Sequence, residues 1–200
     1  MRTTKFLMTA ALATLLATTA LAQQTQRVKG TVEKVDGNTL LNKGPDGAPV
    51  TLKLTNDALV VGVVKASLAD IKEGSYIGSG ALPQPDGSQK AVEVHIFAES
   101  QRGTGDGHRG NWDGAPGGTM TNGAVGNSVS SVDGQAIMVK YKDGEKKIVV
   151  GPNVPIVKYE IGNKSELKAG SAINVVAAKK MPDGTFEAAR INVGRNGVVP

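Results

Sequence analysis

Short stretches of this sequence alternate between apolar and polar residues with a period of two. Val50, Leu52 and Leu54 alternate with threonine and lysine, and the same pattern runs from Ile137 to Tyr141. A strand with one buried face produces this period, whereas an amphipathic helix repeats its apolar positions every three to four residues. The pattern therefore predicts an all-β protein built from short strands, each with one face buried.

Tight turns separate the predicted strands. Asp-Gly pairs begin at Asp36, Asp46 and Asp86, and glycine reaches the positive φ that two-residue hairpin turns require. Residues 67–72 and 164–168 instead have the composition of single helical turns. The 26 glycines and the aromatic content of only 4% also favour short strands with close turns over helices.

The chain contains an internal repeat. Residues 30–37 match residues 127–134 at an offset of 97, and residues 70–74 match residues 166–170 at an offset of 96. Two more Asp-Gly turns recur at the offset of 97, which pairs Asp46 with Asp143 and Asp86 with Asp183. We therefore predict two tandem copies of one domain, in residues 23–100 and 127–200.

Each copy is predicted to be a small OB-like β-barrel rather than a sandwich. Val32 and Val35 are three residues apart in the first strand, so the buried face changes within the strand, as it does at a β-bulge. Several short strands, a bulge and one helical turn fit a closed or partly open barrel. Residues 101–126 are rich in glycine and polar residues and show no apolar period, which predicts a linker or an irregular loop.

The first 22 residues are predicted to be a signal peptide. Arg2 and Lys5 precede an uncharged apolar run over residues 6–18, and a small-residue cleavage site predicts processing between Ala22 and Gln23. A retained membrane anchor is the alternative, but the run is shorter than the ~20 residues that a spanning helix needs. We expect an exported, periplasmic protein with no membrane span in its mature chain.

The charge of the chain is uneven. The formal net charge is +5, with eight basic and nine acidic residues in 23–100 but eleven basic and seven acidic in 124–200. Lys140, Lys142, Lys146 and Lys147 form a basic cluster that would attract anions, although lysines at a solvated sheet edge are the favoured explanation. We expect an envelope protein or an anionic ligand as the partner, and no nucleic acid.

The repeated motifs resemble a secreted bacterial domain family of unknown function. Both copies carry V-x-x-V-D-G, a D-G hairpin, [DE]-[IL]-K-x-G, and P-D-G followed by A-x-x-[IV]-x-V; residues 102–109, 112–113 and 118–122 resemble one proteobacterial branch. The resemblance implies tandem OB-like barrels and brings no catalytic residues. Chains of this kind are sometimes labelled metal-transporter permeases, but a permease needs several spanning helices, which this sequence does not encode.

No predicted site has the pattern of an enzyme. Residues 105–110 fit G-x-G-x-x-G, yet no helix can follow to bind a phosphate. His95 falls on the polar side of an alternating strand, and its repeat partner is Asn192, which predicts a surface histidine. His108 lies in the predicted linker, where a catalytic base would be poorly held. Most carboxylates occupy turns, so we expect a protein without catalytic residues.

A metal site is the strongest chemical hypothesis. His108, Trp112 and Met120 share the glycine-rich segment, and imidazole and thioether ligands suit Cu(I), with an indole face against the ion. The alternative is that Trp112 and Met120 pack the segment onto a barrel. The sequence thus predicts a non-enzymatic binding or interaction protein without a cofactor. A periplasmic copper-binding protein is the alternative.

Overall fold

A computed structural model describes residues 25–131 and 134–200, with side chains for 25–126 and 135–200. These ranges contain β-strands and three single 3₁₀ turns, at Leu68–Asp70, Glu99–Gln101 and Lys164–Glu166, and no helix in them is long and apolar enough to cross a membrane. The predicted signal peptide and its Ala22–Gln23 cleavage site lie outside the described residues, as do Val132 and Asp133 of the repeat. The strands are β1 (Thr25–Asp36), β2 (Thr39–Lys43), β3 (Pro49–Ala66), β4 (Tyr76–Pro83), β5 (Gln89–Ile96), β6 (Gly107–Trp112), β7 (Gly118–Ser131), β8 (Gly134–Tyr141), β9 (Gly144–Val150), β10 (Ile156–Ile161), β11 (Ala172–Lys180) and β12 (Phe186–Gly194).

Five strands close into a β-barrel, which confirms the all-β class and the presence of a barrel. β1 pairs with β2, β2 with β3, β3 with β12, β12 with β11, and β11 with β1. Only the β3–β12 pairing is parallel. Leu40, Leu52, Ile173 and Ile191 are fully or almost fully buried inside this ring. The predicted bulge in the first strand is confirmed, because the β1–β2 register shifts between Val32 and Lys34.

This barrel does not coincide with either predicted copy of the repeat. β1, β2 and β3 come from the first copy, whereas β11 and β12 come from the second. The expectation that residues 23–100 would close a barrel alone is therefore not met by the strand pairing. The physical reason is that the alternation within a strand records which face is buried, but it does not record which copy supplies the neighbouring strand.

The remaining strands pair in the complementary way. β4 pairs with β5 and β7, β7 with β8, β8 with β9, and β9 with β5 in parallel. Ile77, Val94, Ile137, Val139 and Ile148 are fully buried in a second apolar core among these strands. β10 lies between the two sets, antiparallel to β3 and parallel to β5.

The strand registers follow the repeat. Leu52 of β3 pairs with Phe186 of β12, and the equivalent Ile148 of β9 pairs with Gln89 of β5. β3 also pairs with β10, and its Val63 lies opposite Tyr159, which is the same position in the other copy. An approximate two-fold axis therefore relates the two copies and passes between Val63 and Tyr159.

The Asp-Gly turns that follow β4 and β11 are alike in detail. Gly87 and Gly184 both have φ of +81°, which favours glycine, and each N–H donates to a carbonyl three residues earlier at 3.0 Å. Asp86 accepts a hydrogen bond from the N–H of the residue two positions on, and Asp183 does the same, both at 3.0 Å. The turns predicted from Asp86-Gly87 and Asp183-Gly184 are confirmed.

Residues 101–126 contain strand β6 and most of β7, joined by turns, rather than an irregular linker. β6 and most of β7 fall in this range, and β7 pairs with β4 and β8. The segment lacks an apolar period because several residues buried in it are polar, including Gln101, Thr119, Thr121 and Asn122. Their side chains bury a face without leaving an apolar pattern in the sequence.

Candidate functional site

A cavity of about 470 Å³ lies where the two strand sets meet. Its floor is a run of four neighbouring strands, β12, β3, β10 and β5. Tyr159 pairs with Val63, and His95 pairs with Val157 two residues before Tyr159, so these four side chains share one face of the sheet. All four line the cavity, which therefore lies next to the approximate two-fold axis.

The walls of the cavity come from both strand sets. Arg27 of β1 and Asn174 of β11 line one side. Arg109 of β6, with Met120 and Asn122 of β7, lines the other. The segment predicted to be a linker is thus one wall of the cavity, and the repeat supplies the other.

Equivalent positions of the two copies carry different chemistry in the cavity. Glu93 and His95 of β5 correspond, at the offset of 97, to Arg190 and Asn192 of β12. All four line the cavity. The backbone frame is therefore close to symmetric, but its side chains present an acid and an imidazole on one side and a guanidinium and an amide on the other.

His95 is buried, so the prediction of a surface histidine is wrong. Its side chain is 8% exposed and stacks on Tyr159, with ring centroids 5.0 Å apart, while Phe97 approaches edge-on at 4.9 Å. One face of β5 packs in the second apolar core, and on the other face the Tyr159 and Phe97 rings cover His95. Burial, and after it the positive charges of Arg190, Arg109 and Arg27, together lower the pKa of His95 to about 3. The imidazole is therefore neutral near pH 7.

Arg190 lies in the cavity without a carboxylate partner among the described residues. Its guanidinium sits over the Tyr159 ring, 5.7 Å from the centroid, and its Nε is 3.5 Å from Asn192 Oδ1, the limit for a weak hydrogen bond. Burial lowers the pKa of Arg190 from its ordinary value, although an arginine stays charged at neutral pH. A positive charge thus faces the cavity with only weak internal compensation.

The other charges near the cavity are arranged differently. Arg27 is neutralised, because its Nε and Nη2 donate to the two carboxylate oxygens of Asp113 at 2.7 and 2.8 Å. Glu93 makes no ion pair with the described residues; burial raises its pKa, and Arg27 and Lys29 oppose that rise. Burial and the Glu93 charge raise the pKa of Tyr159 to about 12.

Asn122 lines the cavity and carries a buried acceptor without a partner in the described part of the chain. The residue is 4% exposed, its Nδ2 donates to Thr104 O at 3.0 Å, and its Oδ1 has no hydrogen-bond partner among the described residues. Gly78 lies against both side chains: a Cβ at this position would collide with His95 Nε2 and with Asn122 Oδ1. The absence of a side chain at Gly78 therefore lets the imidazole and the amide approach each other.

The three residues of the predicted copper site do not converge. His108 pairs with Thr121, and its Nδ1 lies 2.8 Å from Thr121 Oγ1. Met120 is adjacent to Thr121 in β7, so it points to the opposite face of the strand, into the cavity. The indole of Trp112 packs over Gly80 and other glycines. The described residues also hold no cluster of three His, Cys, Asp or Glu side chains placed to bind a metal ion.

Sequence reasoning missed most of the cavity residues. Asn174 and Asn192 each lie between two buried aliphatic residues of a strand, at Ile173–Val175 and Ile191–Val193. An amide in such a position must face either solvent or an internal polar site, and this was the available signal. Asn122 has no such signal, because its neighbours are Thr121 and Gly123.

Comparison of the chain with protein-family models, with curated proteins and with solved structures found no match. The resemblance to a secreted bacterial domain family accordingly stays a prediction.

Proposed function

We propose that this protein is a non-enzymatic, exported binding protein that holds a small anion in the cavity between its two strand sets. The observation that carries the proposal is Arg190, whose charge lines the cavity with no carboxylate partner among the described residues. Arg190 is half-buried, and a charge that loses part of its hydration is stabilised by a partner of opposite charge. A bound anion would supply the missing partner.

The balance of charge supports an anion rather than a cation. Asp113 already neutralises Arg27, so the unpaired charges of the cavity lining are Arg190, Arg109 and Lys29 against Glu93 alone. The raised pKa of Glu93 further reduces its negative charge as the pH falls. An anion that enters the cavity therefore meets a net positive lining.

Binding, rather than acid–base catalysis, also fits the state of His95. A general base works best with a pKa near the working pH, and burial lowers the pKa of His95 to about 3. The imidazole would therefore act as a neutral hydrogen-bonding group toward a ligand.

We also propose that the strands form two OB-like barrels that exchange their last hairpins. In this arrangement β1–β3 take the β11–β12 hairpin, and β7–β9 take the β4–β5 hairpin. The matching parallel registers, Leu52 with Phe186 and Ile148 with Gln89, support it. The exchange places the cavity between the barrels rather than inside either one.

Isothermal titration calorimetry of the mature chain with inorganic phosphate, sulfate and benzoate tests the proposed function. At least one of these anions should bind, and Arg190→Gln should weaken it at least tenfold because the charge is lost while hydrogen-bond donors remain. Arg102→Gln is the matched control, since Arg102 also lies over a tyrosine, 5.8 Å from the Tyr76 centroid, but is paired with Glu99 outside the cavity. No binding of any of the three anions, or equal loss in both variants, would contradict the proposal.

A further inference from the structure

We infer that the anion is the carboxylate of an unbranched alkyl acid, which binds Arg190 in the cavity while its chain extends into a second groove beside the cavity. The inference rests on the proposed function and adds the chemical class of the ligand. Three observations carry it: the lining of the groove, its junction with the cavity, and the distribution of charge between the two.

The second groove lies where β3 ends and β10 begins, and its volume is about 590 Å³. Lys65 is the one charged side chain among the described residues that line it. Accessible apolar surface in a groove is typical of a binding site. Half-buried or exposed apolar residues supply much of this lining: Ala66, Leu68, Pro152, Val154 and Val198.

The groove is continuous with the cavity along β10. Pro155, Val157 and Val199 line both, and Val199 is 79% exposed. Val157 and Tyr159 lie on one face of β10, and Pro155 precedes the strand in the same alternation. The guanidinium of Arg190 lies over the Tyr159 ring. A ligand held at Arg190 can therefore run along this face of β10 into the groove.

The two ends of this path differ in charge as the two ends of an alkyl acid do. At one end Arg190 has no carboxylate partner among the described residues, and a guanidinium can donate two parallel hydrogen bonds to a carboxylate. The lining at the other end is mainly apolar. An inorganic ion would leave the Val199 side chain in water, whereas an alkyl chain would cover it.

The path also sets the expected length of the chain. Pro155 and Tyr159 are four residues apart in the sequence. At a rise of ~3.3 Å per residue this separation corresponds to ~13 Å. An extended chain of roughly ten carbons, joined in a zigzag by bonds of ~1.5 Å, spans a similar distance. Affinity should therefore increase with chain length as far as decanoate.

Isothermal titration calorimetry of the mature chain with butyrate, hexanoate and decanoate, each below the concentration at which it forms micelles, tests the inference. Each methylene group that enters the groove should tighten binding about two- to fourfold, where the upper value corresponds to complete burial of the group. Decanoate should therefore bind at least tenfold more tightly than hexanoate. Arg190→Gln should weaken all three acids by the same factor. Val199→Ser should weaken decanoate at least threefold and butyrate less than twofold.

Two control variants test the position and the direction of the chain. Ile161→Ser removes an aliphatic side chain of β10 that is 50% exposed but lines neither the cavity nor the groove, so the affinity for decanoate should stay within twofold. Lys65→Gln removes the positive charge of the groove and should weaken decanoate less than Arg190→Gln does. If Lys65→Gln has the larger effect, the carboxylate binds in the groove and the inference is overturned.

The acids titrated into the unaltered chain decide the inference even if a variant fails to fold. If decanoate binds no more tightly than butyrate, although butyrate, benzoate or phosphate binds, the inference is overturned while anion binding stands. If decanoate binds but Arg190→Gln leaves its affinity unchanged, the assignment of the carboxylate to Arg190 is wrong. If no anion binds at all, the proposed function fails as well.

Discussion

Replacing His95 by asparagine should make the protein less sensitive to acid. Asparagine is the residue at the equivalent position, Asn192, of the other copy, so the frame already accommodates it. The pKa of His95 is lowered from 6.5 to about 3 in the folded chain, whereas in the unfolded chain it returns to its ordinary value. Stability that is present above pH 6.5 is therefore lost as the pH falls toward 3, because the unfolded state takes up a proton that the folded state excludes.

The size of the effect follows from the shift. One pKa unit corresponds to 1.36 kcal/mol, so acidification from pH 7 to pH 5 should cost the folded state about 2 kcal/mol through His95 alone. Below pH 5 the carboxylates begin to titrate, and protonation of Glu93, whose pKa is raised, would act in the opposite direction. The interval between pH 7 and pH 5 therefore isolates His95 best.

Urea unfolding at pH 7 and pH 5, followed by circular dichroism, measures the effect. His95→Asn should lower the free energy of unfolding at both pH values, because contacts with Tyr159 and Phe97 are lost. That loss cancels in the comparison, as does the titration of His108. The unaltered chain should lose about 2 kcal/mol more than the variant between the two pH values. Equal losses in the two proteins would refute a buried, neutral His95.

Three further predictions concern other regions of the chain. Gly80→Ala should lower the free energy of unfolding by about 1–3 kcal/mol, because the new Cβ would collide with the Trp112 indole. In the control Gly110→Ala a Cβ meets nothing within 4 Å, so the free energy of unfolding should change by less than about 0.5 kcal/mol. Urea unfolding compares the two variants, and equal losses would contradict the packing argument. Cu(I) titration should show no saturable, His108-dependent quenching of tryptophan fluorescence. Saturable quenching at micromolar copper that disappears in His108→Ala would support the copper hypothesis instead. Amino-terminal sequencing of the exported protein should find Gln23, whereas an intact amino terminus on membrane-bound material would contradict export by cleavage.

Local features of the fold could be predicted from the sequence because local interactions determine them. The turn at Asp86-Gly87 and its equivalent at Asp183-Gly184 need only a carboxylate and a residue free to adopt positive φ. The bulge near Val32 was visible in the spacing of its apolar residues. The closing of a barrel by strands of both copies was not predictable, because the two hairpins have similar patterns and either could complete either ring.

The candidate site was harder to predict, for a related reason. His95 alternates with Val94 and Ile96 as a surface residue would, and only the contact between the two strand sets buries it. In the sequence Arg190 has the pattern of an ordinary exposed arginine, and only the fold places the Tyr159 ring of β10 against its guanidinium. The cavity is made by long-range pairing, so a sequence pattern read within one copy could not reveal it.

The origin of one barrel in both ends of the chain constrains how the protein folds. β1–β3 are complete at Ala66, but the strands that close their ring end only at Gly194. A chain that emerges amino terminus first must therefore keep Leu40 and Leu52 exposed until nearly all of it is available. Pairings this distant in sequence are slow to form, since the entropy of closing a long loop is lost before the contacts are gained. Truncation before β12 would remove a strand of the first ring and leave β11 paired only with β1, so we expect the chain to fold late and as one cooperative unit.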